Sequence, residues 1–138
     1  MELTIEIRTK PRKFEELYQT LLGLLPTIRR GKGCKECRIY RDVEDGGIFL
    51  LWVQWESQAN LGHYMRSANG MALLGAIELL SERAGINRGN DAPWEGIDTL
   101  KKLGEKTEPL LRDTTETRKP DVYQISPDQV VSKQAKST

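Results

Sequence analysis

Residues 48–55 constrain the fold more than any other part of this sequence. All of them are apolar except Gln54, so a strand formed here carries apolar side chains on both faces. One face would carry Phe49, Leu51, Val53 and Trp55, and the other would carry Ile48, Leu50 and Trp52. Helices can cover one face, but the other needs a second layer, which a second copy of the chain can supply. We therefore predict a homodimer, with a monomer covered by its own C-terminal segment as the alternative.

The segments before this strand alternate between strand and helix patterns. Residues 2–8 alternate apolar with polar side chains, which predicts a strand. Residues 13–30 place apolar side chains at helical spacing, and Pro26 within them predicts a kink or an early end of the helix. Residues 37–43 predict a second strand, which joins the third through a tight turn at 44–47 whose two glycines would adopt positive φ.

Two helical segments follow the third strand. Ser57 is suited to cap the first of them, and residues 69–81 form the second, bent from the first around 67–70. The order is then β-α-β-β-α, and one more strand would give an α+β fold, the ferredoxin-like βαββαβ sandwich. We place this last strand around residues 85–92 and a short helix over 95–103.

Hydrophobic residues are concentrated in the first 82 positions, and the chain from Thr114 onward is mostly polar. We therefore predict one domain over residues 1–103, followed by a polar, flexible C-terminal segment over 104–138.

Charge and cysteine content exclude several classes of protein. Lys and Arg number 21 against 20 Asp and Glu, a balance that argues against a nucleic-acid partner. No apolar run reaches the roughly 18 residues of a membrane span, and the alternating N-terminus does not resemble a signal peptide. With only Cys34 and Cys37, we expect no disulfide scaffold, no membrane association and a cytoplasmic location.

The spacing Cys34-x-x-Cys37 also occurs in zinc sites and redox dithiols. A zinc site needs four ligands, which one remote histidine cannot complete, so we predict no metal site. Residues three apart in an extended strand point to opposite faces, so we interpret the two cysteines as structural.

Several short motifs occur in the order typical of one family. They are Gly33-Cys34, Arg38-Ile39-Tyr40-Arg41-Asp42, residues 49–55 with Glu56-Ser57, residues 61–67 and residues 73–80. Together they resemble the antibiotic biosynthesis monooxygenase (ABM) superfamily over roughly residues 1–82. The resemblance implies a dimeric α/β barrel, in which two ferredoxin-like units pack their sheets together. In some members it also implies oxidation of phenols or quinols by O₂ without metal, flavin or haem.

Four side chains are candidates for the site. His63 is the only histidine, and an imidazole suits the removal of a phenolic proton; a histidine also recurs at this place in the family. We expect it to face the cleft between helix and sheet, although a purely structural histidine is the alternative. Trp52, Tyr40 and Tyr64 are candidate substrate-binding residues because aromatic walls stack on a planar ligand, although such residues are often plain core. Trp55 is expected to be structural.

We thus predict a cofactor-independent monooxygenase that oxidises a small phenol- or quinol-type aromatic with O₂. The alternative is a non-catalytic module on the same fold that binds or senses a small ligand. A haem-using relative is disfavoured, since such relatives carry their histidine further along the chain, where this one has residues 71–74.

Overall fold

The computed structural model describes residues 1–89 and 91–106. Its elements are, in chain order, β1 (Glu2–Thr9), α1 (Phe14–Arg29), β2 (Cys34–Arg41), β3 (Ile48–Trp55), α2 (Gln58–Arg66), α3 (Ala68–Leu80), β4 (Ser81–Asn87), β5 (Glu95–Gly96) and α4 (Asp98–Lys106). The strands form one antiparallel sheet in the order β2-β3-β1-β4-β5. The predicted ferredoxin-like α+β fold is confirmed, with a short fifth strand added at one edge.

One face of the sheet packs against the helices and forms the core. β1 pairs with β3 so that Ile5 lies opposite Leu51, and both side chains are fully buried. The burial of β3 alternates strictly along the strand, with Phe49, Leu51, Val53 and Trp55 on the buried side. This confirms the division of β3 into two apolar faces, one of which is covered by helices.

The other face of the sheet, which we call the open face, keeps Ile48, Leu50 and Trp52 of β3 partly exposed. Tyr40 of β2 lies opposite Leu50 on this face, and 48% of its surface is exposed. Apolar side chains of this size favour a further layer, so the argument for a second copy of the chain still applies.

The helix α1 continues past Pro26 to Arg29, so the predicted early end is wrong. A proline within a helix removes one backbone hydrogen bond, here the bond to the carbonyl of Leu22. Leu22 lies on an exposed part of α1, where water can hydrate that carbonyl. The helix therefore tolerates Pro26 one turn before its end.

The turn between β2 and β3 does not use positive φ at its glycines, contrary to the prediction. The carboxylate of Asp42 instead accepts hydrogen bonds from the N–H groups of Glu44 (2.8 Å) and Asp45 (2.9 Å). The carboxylate of Asp45 accepts one from Gly47 (3.0 Å) and forms an ion pair with Arg8 of β1 (2.7 Å). Aspartate side chains thus stabilise the turn.

The last predicted strand was placed too far along the chain. β4 begins at Ser81, directly after α3, and ends at Asn87. It pairs with β1 so that Ala84 lies opposite Ile7 and Ile86 opposite Ile5. Only these two side chains need to be apolar because the other face of the strand is open. A search for a continuous apolar run therefore misplaces it.

The helix α4 packs against α2 and ends at Lys106, the last of the described residues. Gly104 allows this close approach, since a Cβ there would lie 3.3 Å from Cβ of Met65. Residues 107–138, which include most of the segment predicted to be flexible, lie outside the described residues. None of the helices described is both long and apolar enough to cross a membrane.

Candidate active site between the helices and the sheet

A small cavity lies between the helices and the covered face of the sheet. Its volume is about 10 Å³, which is close to the space that one water molecule or another molecule of that size needs. The lining residues are apolar or aromatic: Leu3, Ile5, Ile28, Leu51, Val53, Trp55, Leu61, Tyr64, Met65 and Leu73. A site with these walls excludes bulk water and strengthens any polar interaction inside it.

Trp55, at the end of β3, forms part of the cavity wall. Its side chain is 1% exposed, and its indole Nε1–H has no hydrogen-bond partner within the described residues. Gly31 leaves room for the ring, because a Cβ there would lie 3.2 Å from Cη2 of Trp55. An unpaired buried donor is unfavourable, so this N–H stands out among the buried polar groups of the described residues.

Tyr64 of α2 stands beside Trp55, with the two ring centroids 5.6 Å apart. Its hydroxyl lies 3.1 Å from the hydroxyl of Thr27 on α1. Burial raises the pKa of the Tyr64 phenol, and the hydrogen bond with Thr27 opposes this effect. At neutral pH the phenol is therefore protonated and acts as a hydrogen-bond donor. The structure thus brings one predicted substrate-binding residue to the cavity.

The helix α2 is fixed at both ends by serine hydroxyls. Ser57 caps its start, as predicted, by accepting the N–H of Asn60 at 3.2 Å. Ser67 ends it: the hydroxyl donates to the carbonyl of Tyr64 and accepts the N–H of Gly70 at the start of α3. These caps determine which side chains of α2 face the sheet.

His63 does not line the cavity, so its predicted orientation is wrong. Successive helical residues are rotated by about 100°, which places His63 opposite Leu61 and Met65, the side chains that α2 buries in the core. The imidazole is exposed. Neighbouring protein atoms nevertheless displace part of its water, and this lowers the pKa of His63; the charges of Arg66 and Lys32 act in the same direction.

Two further predicted residues, Trp52 and Tyr40, lie on the open face, away from the cavity. Trp55, which was expected to be structural, is part of the buried core and also lines the cavity. The alternation along β3 contains the signal that distinguishes the two tryptophans, because Trp55 shares its face with the fully buried Leu51 and Trp52 does not.

The profile of the antibiotic biosynthesis monooxygenase family matches residues 1–69, half of the chain, and this region includes Trp55 and Tyr64. The chain belongs to the ABM family. The predicted resemblance is thereby confirmed. No curated protein matches the chain.

Solved structures similar to this ABM chain support the fold. The Pseudomonas aeruginosa protein PA3566 is 23% identical, with a TM-score of 0.59 over 62% of this chain and 87% of that one. A structure named antibiotic biosynthesis monooxygenase is 16% identical, with a TM-score of 0.61 over 67% and 98%. Rv0793 from Mycobacterium tuberculosis is 17% identical, with a TM-score of 0.58 over 65% and 94%. At these identities the likeness shows the fold alone.

The two cysteines of this ABM chain do not point to opposite faces, contrary to our prediction. The pairing of β2 with β3 shifts between Cys34 and Glu36, which indicates a bulge. Cys34 lies opposite Trp55 and Cys37 opposite Val53, so both cysteines are on the helix side of the sheet. Within the described residues, no three His, Cys, Asp or Glu side chains are grouped to hold a metal ion.

Proposed function

We propose that this ABM chain is a monooxygenase that oxidises a small phenol- or quinol-type aromatic with O₂, without a cofactor, between the helices and the sheet. The observation that carries the proposal is an apolar cavity lined by Trp55, whose buried indole N–H has no hydrogen-bond partner within the described residues. A buried donor in a dry site stabilises negative charge that develops on oxygen. Both a phenolate oxygen and a reduced dioxygen species carry such charge.

The chemistry needs little from the protein beyond binding, deprotonation and exclusion of water. The substrate loses two hydrogens and gains one oxygen atom, while the second oxygen atom of O₂ leaves as water. The electrons come from the aromatic anion itself. The Thr27 hydroxyl donates to the carbonyl of Leu24, so the one proton of the Tyr64 hydroxyl goes to Thr27. The Tyr64 oxygen would therefore accept a hydrogen bond from the hydroxyl of the bound ring.

The cavity as described admits O₂ or water but not an aromatic ring. A volume near 150 Å³ accommodates benzene, whereas this cavity has about 10 Å³. Binding of a phenol therefore requires α1, α2 or α3 to move away from the sheet. Such opening on binding is common at sites that must exclude water during reaction.

Oxygen consumption tests the proposed function directly. The full chain is incubated with a panel of hydroquinones and substituted phenols, and both O₂ uptake and quinone absorbance are followed. We expect turnover of at least one compound that persists in the presence of a metal chelator. Saturable binding of these aromatics without turnover would overturn the proposal in favour of a ligand-binding module on the same fold.

The variant His63→Ala tests whether the reaction depends on the cavity alone or on His63, the catalytic residue predicted from sequence. Because the imidazole projects away from the cavity, we expect turnover within about twofold of wild type. The same oxygen assay measures it. A fall in turnover of about 10²-fold or more, without loss of folded protein, would instead establish His63 as the catalytic base. That role stays a prediction.

We also propose that two copies of the chain pair through their open faces. Ile48, Leu50 and Trp52 are partly exposed there and would be buried between two sheets. Light scattering should give twice the mass of one chain. Leu50→Glu, which places charge in this apolar face, should give the single-chain mass, while Glu44→Lys, in an exposed turn, should not. A wild-type chain that is monomeric at micromolar concentration would contradict the proposal.

A further inference from the structure

A shallow pocket of about 500 Å³ lies beside β2, which forms one edge of the sheet in the described residues. The residues that line it are Arg29, Cys34, Lys35, Glu36, Cys37 and Arg38. The pocket is far larger than the apolar cavity, whose volume is about 10 Å³. It can therefore hold a substituent for which the cavity has no room.

On the sheet, the pocket and the cavity are lined by paired residues of β2 and β3. Cys37 of the pocket lies opposite Val53 of the cavity, and Cys34 lies opposite Trp55. Side chains directly opposite each other in an antiparallel pair project to the same face, with their Cβ atoms about 5 Å apart. One step between neighbouring strands therefore separates the pocket from the cavity.

The last turn of α1 borders both sites on the side of the helices. Ile28 lines the cavity, and the next residue, Arg29, lines the pocket. The hydroxyl of Thr27, one residue earlier, lies 3.1 Å from the hydroxyl of Tyr64, whose side chain lines the cavity. Besides burial, the two cysteine thiols of the pocket raise the pKa of the Tyr64 phenol. The Tyr64 hydroxyl therefore lies at the boundary between the cavity and the pocket.

Positive charge distinguishes the pocket from the cavity, whose lining residues carry no charge. Arg29, Lys35 and Arg38 are cationic, and the one carboxylate, that of Glu36, is paired with Arg38. The guanidinium of Arg29 is held in place because its Nε and Nη2 donate to the carbonyl of Cys37, at 3.2 and 2.9 Å. A guanidinium has five N–H donors, so others remain for an anionic ligand.

The two thiols between these cations and the cavity are uncharged at neutral pH. Burial raises the pKa of both, that of Cys37 to about 12, and Arg29 opposes this effect only in part. No negative charge on Cys34 or Cys37 therefore repels an anion that reaches from the cavity into the pocket.

We propose that the substrate is a phenol or quinol that carries a carboxylate, and that the pocket holds this carboxylate while the ring occupies the opened cavity. The inference rests on the oxidation proposed above and names the class of its substrate. The ring hydroxyl that donates to Tyr64 would lie at the boundary with the pocket, so the acidic group belongs next to that hydroxyl on the ring. A carboxylate on a short side chain there would receive charge-assisted hydrogen bonds from Arg29.

Two hydroquinones that differ in charge test the proposal: 2,5-dihydroxyphenylacetate and its neutral amide. Oxygen uptake by the full chain gives kcat and KM for each compound. We expect the KM of the acid to be roughly tenfold lower than that of the amide, with similar kcat, because the carboxylate contributes to binding. The difference should decrease as ionic strength rises. Equal KM values, or a lower KM for the amide, would overturn the inference and leave the proposed oxidation standing.

Charge-neutral variants locate the carboxylate. Arg29→Gln should reduce the preference for the acid to about twofold or less, through KM rather than kcat. Lys35→Gln should reduce the preference by roughly two- to fivefold, and it serves if Arg29→Gln does not fold. Lys10→Gln, which changes an exposed lysine next to β1, is the matched control and should keep the full preference. An unchanged preference in both pocket variants would overturn the assignment of the carboxylate to this pocket.

Binding measurements separate failure of this inference from failure of the proposed oxidation. If neither hydroquinone is oxidised, the proposed function fails, and isothermal titration calorimetry with the same two compounds then tests the pocket alone. We expect the wild-type chain to bind the acid roughly tenfold more tightly than the amide. Equal affinities, or no binding of the acid, would overturn the inference as well.

Discussion

Replacing Trp55 with Phe should slow quinol oxidation by about a hundredfold. Phe keeps an aromatic ring in the cavity wall but removes the indole N–H, the buried donor that has no partner among the described residues. Loss of one such donor to a developing oxyanion typically lowers kcat by about 10² to 10³. Steady-state oxygen uptake at saturating quinol measures the effect.

Trp52→Phe is the matched control because it makes the same chemical change three residues earlier in β3, on the open face. We expect kcat within about twofold of wild type for this variant. Thermal unfolding of both variants by circular dichroism distinguishes lost chemistry from lost fold. Equal turnover by Trp55→Phe and wild type would remove the indole from the reaction, and a large loss in Trp52→Phe alone would move the site to the open face.

Replacing Gly70 with Ala should reduce the free energy of unfolding by about 3 kcal/mol. A Cβ at this position would lie 2.1 Å from the carbonyl oxygen of Tyr64 and 2.7 Å from Cα of Met65. Both atoms belong to the backbone of α2, so no flexible side chain can move aside. Either the start of α3 or the end of α2 must shift. Urea denaturation of the variant and wild type gives the difference.

Gly75→Ala, in the middle of the same helix, is the control for the glycine substitution itself. A Cβ there meets no atom within 4 Å, and alanine favours the helical conformation over glycine. We expect this variant to be more stable than wild type by about 0.5–1 kcal/mol. If both substitutions had the same effect, the close contact between α2 and α3 would not govern stability.

The fold could be predicted well because it depends on patterns that a sequence shows directly. The doubly apolar strand at Ile48–Trp55 indicated a sheet with helices on one side, and the order of elements followed from simple periodicity. β4 was misplaced because only two of its side chains reach the core. When a strand begins directly after a helix, as β4 does, the amino-acid composition does not show where the strand starts.

The site was harder to predict because residue type alone suggested the chemistry. His63 was singled out as the only histidine, but the angular position of a residue on a short helix decides whether it meets a cleft. Trp55 was set aside, although the burial pattern of β3 placed it with the core. An unpaired indole N–H is a property of three-dimensional packing, and no sequence pattern indicates it.

The cysteines show a different limit of pattern reasoning. The prediction that they point to opposite faces follows from ideal strand geometry, and one inserted residue reverses it. Bulges of this kind depend on the pairing with a neighbouring strand, so the sequence of β2 alone does not reveal them.

The hydroxyl of Ser67 links α2 to α3 at the junction between them. Its single hydroxyl bonds to the last turn of one helix and the first turn of the next, and Gly70 keeps the two backbones in contact. Any movement of α2 away from the sheet would therefore strain the bond between Ser67 and α3, and the two helices would move together. The rates at which an aromatic ligand enters and its product leaves would then depend on this junction rather than on the cavity walls. Solvent viscosity should influence both rates.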